Sequence, residues 1–249
     1  AVPQVGSYDP EVGYPSSEVE TTDVEVTIDA HRCVQVGFSA NEQQSTRRLL
    51  FGEQEEALHY AIGKDLVDAI YALFTEENYP EPPTIRALVD WDRNGVIAIG
   101  SAMSNRGANN GTRTLLLDVL HYAKLCEDLT VVSDGYNKGA ETITTGILPM
   151  VHGYLPVEAP NLPSTGNLAG VGLRADAVAL ATALPEDYAN QPGLPATALQ
   201  EVVTNPDTGL SVQLTIFSDH KIGHTFMRLA WMRGQAKGNP KSAQLLLNN

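Results

Sequence analysis

Basic residues are scarce in this sequence: 16 Lys and Arg stand against 30 Asp and Glu, a formal charge of −14 over 249 residues. Direct nucleic-acid readers carry a basic stripe for the phosphates. None is visible, which argues against DNA or RNA recognition. The same balance suits a wall around nucleic acid, since a repelling surface keeps contents from sticking. Cysteine is almost missing. Cys33 and Cys126 have no spacing that suggests a disulfide framework, so both are expected as thiols. No apolar run approaches the roughly 18 residues of a membrane-spanning helix, and no signal-peptide pattern is visible. No segment repeats at a period of 20–50 residues, which excludes a solenoid or propeller.

What is present suffices for one substantial domain or two small ones, with 43% hydrophobic residues to build a core. The first residue is Ala1, not Met, as after either processing or disorder at the front. Residues 1–22 are rich in Pro, Gly, Ser and acids without any period, and are expected to form an extended arm that packs on something else. Val24, Val26 and Ile28, then Val34, Val36 and Phe38, recur every second residue on either side of a polar turn near Asp29 and Ala30. That spacing predicts a two-stranded hairpin with one apolar face. Such a ribbon is marginal alone and needs a covering surface on this subunit or a neighbour.

From Arg47 to Phe74 the period becomes helical: Leu50, Leu58, Ile62, Leu66, Ile70 and Phe74 recur on one side, and prolines at 80, 82 and 83 end the run. Residues 87–104 read as partly helical. A Gly/Asn loop at 105–111 precedes a short strand, Thr114–Leu117, with Asp118 placed to cap the next helix. Residues 130–163 read as broken β-structure, 173–184 as an Ala-rich helix, and 185–209 as an acidic excursion. Strands are expected at Leu210–Phe217, Thr225–Met232 and Ala243–Leu247.

Few residues suggest catalysis. Asp29, His31 and Cys33 alternate on one strand, and His220 and His224 stand four apart beside Asp219. Combined, they would give a metal-dependent hydrolase its N, O and S ligands. Strand residues four apart are about 13 Å from one another, so the helical two-His spacing does not apply there. There is no Gly-x-Ser-x-Gly elbow. The loop GANNGTRT lacks the Lys of a phosphate-binding loop and reads as a turn. Cys126 follows a helix beside Glu127 and Asp128, a setting that raises a thiol pKa and makes a poor nucleophile. Glu53, Glu55 and Glu56 read as solvated charges near a helix start. No catalytic, cofactor or metal site is expected.

Four stretches, in this order, resemble the major capsid proteins of tailed bacteriophages, the Hong Kong 97-type fold. They are TDVEVTIDAHRCVQVGFSANEQ (22–43), similar to the extended hairpin; ALHYAIGKDLVDAIYALF (57–74), similar to the spine helix; RTLLLDVLHYAKL (113–125), similar to the strand–helix step of the axial domain; and GILPMVHGYLPVEAPNLP (146–163) followed by LRADAVALA (173–181). The tail LAWMRGQAKGNPKSAQLLL (229–247) is similar to the closing strands. The resemblance implies an α+β fold: arm 1–21, hairpin 22–45, peripheral domain with spine helix 46–104, axial domain 105–218 and closing strands 219–249. It implies a shell subunit that assembles with copies of itself through hexamers and pentamers into an icosahedral head around double-stranded DNA. A nanocompartment shell is the alternative within this fold.

The implied partners are scaffolding and portal proteins and a decoration protein, with no cofactor and no membrane. The implied place is the virion, assembled in the bacterial cytoplasm. Val24, Val26, Ile28, His31, Val34, Val36 and Phe38 would contact neighbouring subunits, and Asn109, Asn110, Asn137 and Lys138 would line symmetry axes. The chain departs from some members in one respect: residues 24–38 contain no Lys, so a covalent weld through the hairpin is not expected. No long helical scaffold segment precedes the arm, which implies that it is cut away or supplied as a separate protein.

Overall fold

The computed structural model describes residues 23–39, 41–42, 50–109, 111–128, 146–163, 165–185, 199–219 and 221–249. In chain order the elements are β1 (Ala30–Ser39), α1 (Leu50–Tyr71), β2 (Thr84–Ile85), α2 (Arg93–Asn105), β3 (Arg113–Leu117), α3 (Val119–Glu127) and β4 (Tyr154–Glu158). Then follow β5 (Leu168–Arg174), β6 (Val178–Ala183), β7 (Leu199–Thr204), β8 (Ser211–Asp219), β9 (His224–Lys237) and β10 (Ala243–Leu247).

Two sheets organise them. The first has the order β1-β9-β8-β7, with β6 also paired to β9, and every pairing is antiparallel. Strand β9 is its axis. One edge of β9 carries β1 along its length, while β8 and then β6 share the other edge. Helix α1 lies on one face, where Leu58, Ile62 and Leu66 pack on Met227, Leu229 and Trp231 with Val34, Val36 and Leu214 around them. The spacing of the three helix residues at i, i+4 and i+8 makes the stripe that a flat apolar sheet face accepts. Asp65 on α1 closes the end of this layer by accepting bonds from Arg233, whose side chain is almost fully buried, at 2.9 Å.

The second sheet has the order β2-β10-β5-β3-β4. Helix α2 sits on one of its faces, burying Val96, Ile99 and Met103 with Leu115, Leu117, Tyr154 and Trp91. Asp92 caps α2 by accepting from the Asn94 and Gly95 amides. The C-terminal end of α1, through Ile70 and Tyr71, and the turn after it, through Phe74 and Tyr79, cover part of the opposite face on Val171, Ala243 and Leu245. Helix α1 thus spans the two sheets, which is what ties them into one body.

Several expectations from sequence are met: a long amphipathic helix, β3, the Asp118 cap (its carboxylate accepts from the His121 amide at 2.7 Å), β8, β9 and β10. Others are corrected. Residues 23–29 form no strand, and β1 pairs with β9, not with residues 24–28. The segment instead crosses β9 at Gly234, where a side chain would meet the Thr27 carbonyl and Ile28. The long antiparallel register with β9 offers β1 more hydrogen bonds and a helix-covered apolar face than a short hairpin could. The Ala-rich stretch 173–184 is not a helix. It is the end of β5, a single 3-10 turn at Ala175–Ala177 and β6. Small side chains there lie opposite Gly234 and Ala236 of β9, so tertiary pairing overrides the helical preference of Ala. Strand β7 lies in the stretch read as an excursion. The boundary drawn at 218/219 falls inside β8, which forms a hairpin with β9, and the one at 104/105 falls inside α2.

Candidate assembly surfaces

The residues expected to contact neighbours divide into two groups. Val34 and Val36 face α1 of their own chain and belong to its cluster. That coverage answers the question the alternation posed: the apolar face of β1 is buried against a helix of the same subunit. Val24 and His31 are exposed, while Val26, Ile28 and Phe38 are half-buried. Asn109 is exposed in the turn between α2 and β3. Asn110, Asn137 and Lys138 lie outside the described residues.

The metal-site alternative is not assembled. His31 pairs opposite Met232 and His224 opposite Ser39, so the two histidines stand eight residues apart along one ladder, about 26 Å. His224 instead uses Nδ1 against the Ile222 carbonyl at 2.8 Å and stacks on Phe226. His220 lies outside the described residues, and among those described no three His, Cys, Asp or Glu side chains converge on a common point. Burial first, and then the charge of Glu158, pushes the Cys126 thiol above its ordinary pKa. The direction agrees with the sequence reading, but the carboxylate responsible is Glu158 and not Glu127 or Asp128. Such a thiol stays protonated at neutral pH and is a weak nucleophile.

An open cleft of about 840 Å³ beside Trp91 is lined by Arg86, Arg93 and Lys124 but also by Asp90, Asp92, Glu127 and Asp128. Charges of both signs on an open wall suit contact with another polar surface better than capture of one ion.

What distinguishes this surface is its apolar content. Val89 is 79% exposed, Tyr60 68%, Leu120 62% and Leu199 60%. Scattered apolar residues are normal on any surface; Tyr60, Val89 and Leu120 stand on helices or a 3-10 turn, while Leu199 opens a strand, β7, that ends its sheet among the described residues. Strands β1 and β7 are the two ends of the first sheet, and β2 and β4 the two ends of the second. Sequence reading missed the β7 edge because its six residues, LQEVVT, carry no strict alternation. No helix among the described residues is long and apolar enough to cross a membrane.

No protein-family model and no curated protein matches the chain. Solved structures do. The capsid structure of the cyanophage P-SCSP1u matches at 16% identity and a TM-score of 0.62, over 99% of this chain and 82% of that one. A structure of Mycobacterium phage Che8 matches at 14% identity and 0.63, over 99% and 81%. The holo-SrpI encapsulin complex from Synechococcus elongatus matches at 11% identity and 0.50, over 88% and 73%. Identities this low speak to fold alone. The chain shares the α+β fold of phage capsid proteins over nearly its whole length, in agreement with the Hong Kong 97-type architecture that the sequence resemblance implied.

Proposed function

We propose that this chain, built on the fold of phage capsid proteins, is a major capsid subunit of a tailed bacteriophage. Copies of it assemble through hexamers and pentamers into an icosahedral head that encloses double-stranded DNA. The observation that carries the reading is the match of 99% of the chain to a cyanophage capsid structure, of which it covers 82%. The exposed apolar residues, and the sheet edges that are bare among the described residues, supply surfaces that a solitary protein would be expected to cover. In this reading Val24 and His31 face neighbouring copies, with Asn109, Asn110, Asn137 and Lys138 near the symmetry axes. The acidic charge keeps the wall from binding its contents by sequence. Scaffolding, portal and decoration proteins are its expected partners, and the virion its destination.

A nanocompartment is the second reading, favoured by the encapsulin likeness. That likeness is shorter in coverage and lower in TM-score than those to the phage structures, so the capsid reading is preferred. Negative-stain electron microscopy of the expressed chain, with any adjacent scaffolding gene, tests both. Closed shells or rings of five and six are expected. Nuclease-protected DNA inside particles from infected cells supports the capsid, and a protein cargo supports the nanocompartment. A chain that stays monomeric at high concentration overturns both.

A further inference from the structure

The first sheet ends in two strands that complement one another. Strand β1 keeps one unbroken register against β9 from Ala30 to Ser39, contains neither Pro nor Lys, and among the described residues has no strand on its other side. Strand β7 is likewise paired, among the described residues, only to β8. Natural edge strands are usually blunted by Lys, Pro or a bulge, and neither of these edges is.

Their directions also agree. Strands β1, β9, β8 and β7 alternate in direction, so β7 runs opposite to β1. A second copy placed edge to edge in the same orientation would bring its β1 antiparallel to β7. The side chains then select a register. On the face that carries α1, β7 presents Leu199, Glu201 and Val203, because these lie opposite Ile216, Leu214 and Val212. On the same face β1 presents Val34, Arg32 and Ala30, opposite Leu229, Trp231 and Arg233. Setting Glu201 against Arg32 places Leu199, 60% exposed, on Val34, and Val203 on Ala30. On the other face it sets Val202 beside His31 and Gln200 beside Cys33. Arg32 is available for the contact. Its side chain is 56% exposed and lies 3.7 Å from Asp65, a carboxylate that Arg233 already holds at 2.9 Å.

We propose that β7 of one copy adds to the free edge of β1 of a second copy, with Glu201 opposite Arg32, so that the first sheet continues from subunit to subunit. The contact is heterologous, and repeated with rotation it closes a ring. Main-chain hydrogen bonds would hold it, and the opposite charges would fix its register. The inference rests on the assembly reading and names one interface within it.

The register makes a direct test. Residues facing one another across adjacent strands have Cβ atoms about 4.5–5.5 Å apart, near the separation a disulfide spans. The native Cys33 is exposed, so Gln200→Cys alone should link assembled subunits into a ladder of covalent multimers on a non-reducing gel after mild oxidation. Leu199→Cys points to the opposite face and should give no ladder. Glu201→Arg should slow assembly at least tenfold in light scattering, and Arg32→Glu on the same chain should restore most of the rate. Particles that form normally without a Gln200→Cys ladder, or with equal ladders from both cysteine variants, overturn the edge pairing and leave the shell reading intact. Failure of the unaltered chain to assemble overturns both.

Discussion

Two glycines show how differently one residue type can serve. Gly234 lies in β9 beneath the crossing segment, and a methyl group there would strike the Thr27 carbonyl, which is backbone and cannot swing aside. Gly63 sits within α1 with nothing close to where its Cβ would be. Gly234→Ala is therefore expected to lower unfolding free energy by about 1–3 kcal/mol, the usual range for overpacking. Gly63→Ala is expected to raise it by up to about 1 kcal/mol through helix propensity and a stiffer unfolded chain. Urea titrations of both variants check the opposite signs. Tyr79 offers a pH test. Its hydroxyl donates to the Ala177 carbonyl at 2.7 Å, and burial pushes its pKa from 10.0 up to about 12. A phenol whose folded pKa is raised contributes stability that is fully present below pH 10 and is lost as pH rises from 10 toward 12. Unfolding midpoints measured across that window should fall, and Tyr79→Phe should flatten the fall while lowering stability at pH 8 by about 1 kcal/mol.

At the scale of elements, the step from β3 into α3 depends on Asp118. One of its carboxylate oxygens lies 2.7 Å from both the backbone amide and the ring Nδ1 of His121, and that imidazole is buried against Trp91. Asp118→Ala removes the cap and strands a buried ring nitrogen. Losses of about 2 kcal/mol or more are expected, above the roughly 1 kcal/mol of an average exposed cap. Asp118→Asn should recover part of it, since an amide oxygen still accepts. Thermal unfolding of the two variants separates the cap from the charge. If both are as stable as the unaltered chain, the His121 contact contributes nothing.

For the whole molecule, the excess of acid residues opposes association. Each copy carries a formal −14, and copies brought side by side repel over a Debye length of about 10 Å at 0.1 M salt. Raising sodium chloride from 50 to 500 mM should therefore speed assembly, followed by light scattering, until the screening also weakens the Glu201–Arg32 contact. Assembly that slows steadily with salt from the outset would mean that attraction between unlike charges dominates the encounter.

The sequence by itself determined much that is local: the helical stripe of Leu58, Ile62 and Leu66, the strands β8, β9 and β10, the Asp118 cap, and a charge unsuited to reading nucleic acid. These follow from periodicity and capping, which act between residues a few positions apart. The ordered motifs also pointed to the capsid fold. Partnership between distant strands was decided only by the tertiary structure. Val24 to Ile28 alternate as well as Val34 to Phe38 do, yet β1 takes β9, nearly 200 residues away, because that pairing is longer and sits under α1. The Ala-rich run became β6 because Gly234 and Ala236 leave room for it. The two edges that are bare among the described residues were invisible for the same reason: an edge is defined by the neighbour a strand lacks, and no run of side chains records that.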